Sequence, residues 1–273
     1  MTATLAGKTI FVSGGSRGIG KAIALRCARD GANVVIAGKS HVAQPRLPGT
    51  IHSAAEECEA AGGQAFAVRC DIRDEAEIEA AVAASVDRFG GLDVLINNAS
   101  AIWLKGLLDT PSKRFDLMHE VNVRGTFLVT QKCMPHLLRS TNPHVLMLSP
   151  PLDLQPKWFR GHTAYTMAKY GMSMVALGAA AEFADRGVAV NALWPKTVIR
   201  TAALQMIPGI DTTRCRVPEI VADAAHAIVT SEAKAVTGRF LVDEDVLRER
   251  GVVDFERYAV EAGKELLRDF FLD

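Results

Sequence analysis

Eight residues, Ser13-Gly14-Gly15-Ser16-Arg17-Gly18-Ile19-Gly20, constrain this chain more than any other stretch. They follow the apolar, strand-like run Lys8–Val12 and lead straight into Lys21-Ala22-Ile23-Ala24-Leu25, which reads as helix. Strand, glycine-rich turn and helix, in that order, form a context that binds a dinucleotide pyrophosphate. Gly14, Gly18 and Gly20 let the backbone turn tightly, approach phosphate oxygens and pack the helix on its strand. The first helical amides and the positive end of the helix dipole then face the anion. The spacing is G-x-x-x-G-x-G rather than G-x-G-x-x-G, and a glycine-rich turn alone is often only a tight turn.

Beyond this turn, strands and helices alternate. Asn33–Gly38 is a continuous apolar second strand, reached after a helix that Gly31 ends. The prolines of His41–Gly49 mark a loop. Next come a helix over 51–61, the strand Gln64–Cys70 and a helix from a cap at Asp74 to Phe89. Leu92–Asn97 is the fourth strand, and Thr110-Pro111 reads as N-cap and first residue of another helix. Val123–Leu138 continues as helix, followed by the strand Val145–Ser149, the helix Ala164–Phe183 and the strand Val188–Leu193. A helix, Ile220–Val229, and a last strand, Arg239–Val242, complete the pattern. It predicts an α/β fold: a single doubly wound parallel sheet of Rossmann type, with helices on both faces. Residues 1–273 are expected to form one domain with a tail over 243–273, whose Phe270-Phe271 end docks on the body. Trp194–Val217 has no clear period and is long enough for a functional lid.

Charge and cysteines bound the function. Thirty-one basic residues balance 31 acidic ones, so no nucleic-acid partner is indicated. No apolar run approaches the roughly 18 residues of a membrane span, and the N-terminal residues lack the regions of a secretory signal. Cys27, Cys58, Cys70, Cys133 and Cys215 show no C-x-x-C spacing, which points to free thiols in the cytoplasm rather than to bridges or a metal site.

Tyr165 and Lys169 lie one helical turn apart on one face. A tyrosine titrates near pH ~10 in water, and a cation one turn away favours its phenolate. Taken alone, such a pair is more often a half-buried tyrosine beside a solvated lysine. Its company changes that reading: the glycine turn, Asp71 after the third strand, Asn97-Asn98-Ala99 ending the fourth, and Asn122 within a helix. In this order and spacing, residues 7–242 resemble the short-chain dehydrogenase/reductase family. The resemblance implies hydride transfer between NAD or NADP and a carbonyl or alcohol carbon. It implies that Tyr165 is the acid/base, that Lys169 grips the nicotinamide ribose and that Asn122 holds a water of the proton relay. It carries cofactor contacts onto Ser13, Gly14, Ser16, Arg17, Gly18, Ile19, Gly20, Lys39, Asp71, Asn98, Lys169 and Thr197, with Asp71 near the adenine.

A narrower likeness covers almost the whole chain. Lys39 with the proline loop, Asn98–Ile102, Ser149-Pro150-Pro151-Leu152, Ala192–Thr197 and the Asp269–Asp273 end resemble the hydroxysteroid dehydrogenase-like branch of that family. In vertebrate members a sterol-carrier-like domain follows. This chain stops where that linker would begin, so delivery of lipid by an attached carrier domain is not expected.

Two departures from the family pattern stand out. Pro150 occupies the place of the usual catalytic serine, and Ser149 lies one residue earlier. A one-residue shift turns a strand side chain to the opposite face, so Ser149 substitutes only if Pro150-Pro151 bends the chain. After the sixth strand, Lys196 follows Pro195 where glycine is usual; it is either a cation near the nicotinamide or substrate, or a surface lysine. No acidic residue ends the second strand. Gly38 and Lys39 stand there, and Lys39 with Arg17 suits the charge of a 2′-phosphate, favouring NADP(H) over NAD.

The expected activity is therefore an NADP(H)-dependent oxidoreductase acting on a small carbonyl or secondary alcohol, lipid-like in character. An enoyl- or dienoyl-thioester reductase on the same fold is the alternative enzyme, and a cofactor-binding protein with little turnover is the alternative class. A turnover screen separates them. The pocket is expected from Ala101–Leu107, Pro150–His162 and Trp194–Val217. A homo-oligomer is expected as well, because the helix Ala164–Phe183 carries many small residues and the family resemblance implies assembly.

Overall fold

The apolar runs become seven parallel strands of one sheet in the computed structural model, which describes residues 4–43, 47–204 and 209–273. They are β1 (Thr9–Ser13), β2 (Asn33–Gly38), β3 (Gln64–Arg69), β4 (Val94–Asn97), β5 (His144–Met147), β6 (Ala189–Trp194) and β7 (Phe240–Val242). Their order across the sheet is β3-β2-β1-β4-β5-β6-β7. The helices are α1 (Gly18–Ala28), α2 (Ile51–Ala60), α3 (Glu75–Phe89), α4 (Ser112–Met118), α5 (Thr126–Leu137), α6 (Thr163–Phe183), α7 (Glu219–Val229) and α8 (Asp243–Glu249).

Successive strand side chains alternate between two cores. Ile10, Val12, Val34 and Ile36 pack with α1, α2 and α7, whereas Phe11, Val35 and Ala37 pack with α3, α5 and α6. Burial on both faces is the reason these strands read as unbroken apolar runs. The strand order reverses between β1 and β4, where Val12 pairs with Ile96 and Ser13 with Asn97. The crevice beyond the carboxyl ends of strands at such a reversal is where open α/β sheets bind ligands.

Several boundaries differ from the sequence reading. Thr110 is not the cap of α4. Its hydroxyl donates back to the carbonyls of Lys105 and Gly106, and Pro111 takes the N-cap position. β4 begins at Val94, and the Asp93 carboxylate just before it accepts from Lys8 Nζ at 3.1 Å and from the Thr9 amide at 2.9 Å. The helix expected from Val123 begins earlier: a π-helical turn, His119–Gly125, joins α4 to α5 and carries Asn122. The segment after β6 is stapled by bridges from Thr197 to Arg268, Ile199 to Arg216 and Arg216 to Ala259, so its two ends are anchored. Residues 205–208 of that segment, residues 44–46 of the proline loop and residues 1–3 lie outside the described residues. All five cysteines are buried and free of disulfides. Among the described residues no helix is long and apolar enough to cross a membrane.

Candidate active site

The glycine turn is shaped by its contact with the end of β4. Gly14 has φ 68°, and a Cβ there would lie 2.9 Å from the Ala99 Cα. A Cβ on Gly20 would overlap the Asn98 side-chain nitrogen and stand 2.6 Å from the Gly14 carbonyl. Asn98 Nδ2 donates to the carbonyls of Ser13 (3.1 Å) and Gly14 (3.0 Å). Ser13 Oγ accepts from the amides of Asn98 and Ala99 and donates to the Ile96 carbonyl. The side chains of Ser13 and Asn98 thus clamp β1 to β4, while Ser16 is buried in the turn and Ile19 packs on the core beneath α1.

The start of α1, at Gly18, is open to an anion. No side chain caps its free amides and no acidic residue stands in its first turn. By contrast, Thr50 and Ser53 cap α2 reciprocally and the Asp74 carboxylate caps α3. An uncapped N-terminus with exposed positive dipole at the sheet reversal fits a dinucleotide pyrophosphate.

The two cations expected to share a phosphate have separate partners here. Arg17 donates to the carbonyls of Leu47 (3.2 Å), Pro48 (3.2 Å) and Gly49 (2.8 Å), holding the loop before α2 against the glycine turn. Lys39 stands 3.6 Å from Asp71, with about half its side chain exposed. Arg73, a cation overlooked in the sequence, also binds Asp71, through Nε at 3.0 Å and Nη2 at 2.6 Å. Burial pushes the Asp71 carboxyl up, but the Arg73 bonds and the Lys39 charge outweigh it and hold it at about 2.

Tyr165 and Lys169 share the inner face of α6, at 6% and 3% exposure. Lys169 Nζ donates to the Leu148 carbonyl at 2.5 Å and lies 5.1 Å from the Trp194 ring centre. Burial pushes the ammonium down to about 7, against the opposing pull of the Asp269 charge. The expected lowering of the tyrosine is absent from this arrangement: burial and the Asp269 carboxylate both push the phenol upward. Desolvation of the phenol thus opposes the lowering that a cation one turn away favours.

Ser149 is 1% exposed and its hydroxyl has no protein partner. Its amide donates to the Met147 carbonyl at 2.9 Å, so the chain bends immediately after β5. Pro150 is tied to α6 by Ser173 Oγ at 2.6 Å. Thr197 is a second buried hydroxyl without a partner. Unpaired buried hydroxyls are uncommon and mark places where a bound molecule can be read. The Asn122 side chain is committed, accepting from the Ala101 amide at 2.7 Å and donating to its carbonyl at 3.0 Å. Lys196 belongs to an ion cluster: its Nζ binds Glu244 at 2.9 Å, and Glu244 also holds Arg216 and Arg248.

An apolar cluster surrounds Tyr165. Ala101, Trp103 and Leu104 come from one expected pocket loop, and Leu152, Trp158 and Phe159 from another. Trp194 comes from the third expected segment, whereas the C-terminal residues were not expected as parts of this site. Trp194 Nε1 donates to the Phe270 carbonyl at 2.8 Å, and Phe271 is 2% exposed within the cluster. The Phe270-Phe271 pair was the available signal, although nothing local says where it docks.

A family model described as short chain dehydrogenase matches residues 8–208. The hydroxysteroid dehydrogenase-like protein 2 of Danio rerio is 59% identical across this whole chain, which spans about 65% of that relative's length. A solved Xanthomonas campestris structure is 61% identical, with a TM-score of 0.97 over 99% of each chain. A short chain dehydrogenase from Mycobacterium thermoresistibile is 51% identical, with a TM-score of 0.94 over 99% of this chain and 96% of its own. With the glycine turn, the Tyr165–Lys169 pair and the reversed parallel sheet, these matches place the chain in the short-chain dehydrogenase/reductase family of oxidoreductases.

Proposed function

We propose that this chain interconverts a carbonyl and a secondary alcohol on a small, lipid-like molecule, with NADP(H) as its cofactor. The observation that carries the reading is Tyr165 and Lys169, buried one turn apart on α6, with Lys169 bonded to the Leu148 carbonyl at the end of β5. When bound, the nicotinamide supplies the hydride in reduction and accepts it in oxidation. Tyr165 gives its phenolic proton to the carbonyl oxygen as the alcohol forms, and takes a proton back in the reverse direction. Lys169 places a positive charge one turn away, which offsets the cost of the phenolate while the proton is in transit. Ser149 offers its O–H to the same substrate oxygen. One N–H and the oxygen of the Asn122 side chain are engaged with the backbone of Ala101, which fixes its orientation for a relay water.

The open amides of α1 would take the pyrophosphate, and Thr197 and Asp71 would line the cofactor site at either end. Because Arg17 is engaged with the loop at 47–49, the preference for a 2′-phosphate rests on Lys39. The aromatic cluster around Tyr165 favours an apolar, lipid-like substrate. The exposed stripe of Phe127, Met174 and Leu177 on α5 and α6 suits a homo-oligomeric contact. Five free thiols fit a reducing compartment such as the cytoplasm.

A screen of ketones, aldehydes and enoyl thioesters with NADPH and NADH tests this reading. Ketone or aldehyde turnover that falls about 10²–10⁴-fold in Tyr165→Phe supports it. Turnover confined to enoyl thioesters, or full activity in Tyr165→Phe, overturns it.

A further inference from the structure

The C-terminal residues form a strap across the site. The Val198 amide donates to the Leu267 carbonyl at 2.9 Å and the Asp269 amide to the Lys196 carbonyl at 3.2 Å, so the strap adds to the segment after β6. The Trp194 indole holds the Phe270 carbonyl, and Lys157 pairs with Asp273 beyond it. Between these anchors Phe271 turns inward. Its ring centre lies 6.3 Å from that of Tyr165, 5.3 Å from Tyr170 and 5.7 Å from Trp194.

The backbone at Phe271 carries independent information. Its φ is 70°, and among the described residues it is the one non-glycine residue in the left-handed region. A bulky side chain adopts that conformation rarely. Such outliers persist only where the surroundings over-determine them, and they cluster at active sites and ligand clamps. Here the outlier separates Phe270, 38% exposed, from Phe271, 2% exposed. It turns one ring outward and the next onto the phenol. Tyr165 is only 6% exposed, and the Phe271 ring is one of the side chains packed around it, so a molecule approaching the phenol meets the cluster to which Phe271 belongs.

We propose that the strap Leu267–Leu272 is a wall of the substrate site, and that Phe271 sets how large a group a substrate can carry beside the reacting carbon. This rests on Tyr165 as the acid/base. Trimming the ring opens space against Tyr165 without touching the glycine turn, so cofactor affinity should not report the change.

The test compares wild type with Phe271→Ala, Phe271→Leu and Phe271→Trp. The first measurement is kcat/KM with NADPH over methyl ketones from acetone through acetophenone to acetonaphthone. Phe271→Ala should raise the ratio of the largest to the smallest ketone about tenfold, Phe271→Leu less, and Phe271→Trp should lower it. Equal scaling of all ketones in every variant would overturn the proposal. The second measurement follows nitration of Tyr165 by tetranitromethane, mapped on peptides with Tyr258 as internal reference. At least fivefold faster nitration of Tyr165 in Phe271→Ala, and an intermediate rate in the better-packed Phe271→Leu, are expected. An unchanged rate in both overturns the proposal. If no variant reduces any of these ketones, the size series is repeated with the aldehydes of the wider screen; turnover confined to enoyl thioesters there overturns the acid/base reading, and nitration then decides whether Phe271 covers Tyr165.

Discussion

Gly20→Ala is a direct test of how the nucleotide turn is built. On an isolated helix this change would gain about 1 kcal/mol, because alanine is the better helix former. Here the new methyl would overlap Asn98 Nδ2 and crowd the Gly14 carbonyl at 2.6 Å. Forcing a methyl into such packing costs about 1–3 kcal/mol. Displacing Asn98 also loses its bonds to the Ser13 and Gly14 carbonyls; leaving buried groups unpaired costs about 1–3 kcal/mol. The net is a loss of about 1–5 kcal/mol, centred near 3. At about 1.4 kcal/mol per tenfold, a loss of about 3 kcal/mol expressed in binding weakens nucleotide affinity by more than a hundredfold. Expressed in stability instead, it lowers Tm by about 6–12 °C for a chain of this size. Fluorescence titration with NADPH and a thermal scan measure both. Gly91→Ala is the control, since a Cβ there meets nothing within 4 Å, and it should change neither quantity. Normal affinity together with normal Tm in Gly20→Ala would refute the argument that Asn98 and Gly20 jointly fix the turn.

Three further outcomes are expected. Ser149→Ala should lower kcat by about 10²–10³ with cofactor affinity unchanged, because a donor aimed at the reacting oxygen is worth about that much. Near-full activity would assign the unpaired hydroxyl no role and leave Tyr165, Lys169 and Asn122 as the working set. Lys39→Asp should weaken NADPH binding about 10–100-fold and NADH binding much less, through loss of a phosphate-facing cation and gain of a like charge beside Asp71; equal losses would show that Lys39 does not read a phosphate. Light scattering at micromolar concentration should give a multiple of 29.4 kDa, and Phe127→Glu should reduce it towards that value. A wild-type mass of one chain would refute assembly through α5 and α6.

The strand–helix alternation was legible because strands buried on both faces leave continuous apolar runs, as in Val34–Ala37, and because caps such as Asp74 act within a few residues. The glycine turn and the Tyr165–Lys169 pair were legible for the same local reason: one turn of helix or one tight bend fixes their geometry. Boundaries were less legible: the Thr110 hydroxyl turned back to carbonyls of its own loop instead of capping α4, and β4 starts at Val94 rather than at Leu92.

Electrostatics diverged furthest from the linear reading. Spacing puts Lys169 one turn from Tyr165 and so predicts a lowered phenol, but burial is a property of the folded whole, and desolvation of both groups with Asp269 nearby works the other way. Arg17 and Lys39 were both expected at one phosphate, yet folding gives Arg17 to three carbonyls and sets Asp71 beside Lys39. Lys196 was drawn into the cluster around Glu244, some 48 residues later in the chain. The placement of Phe271 on Tyr165 joins residues 106 positions apart by residue number, through a strap whose register is set by Val198, Lys196 and Trp194. Local sequence determined the sheet, the glycine turn and the one-turn spacing of Tyr165 and Lys169, because those depend on neighbours along the chain. Which charges remain available, and which side chain walls the site, depended on contacts between remote segments, and only the tertiary structure decided them.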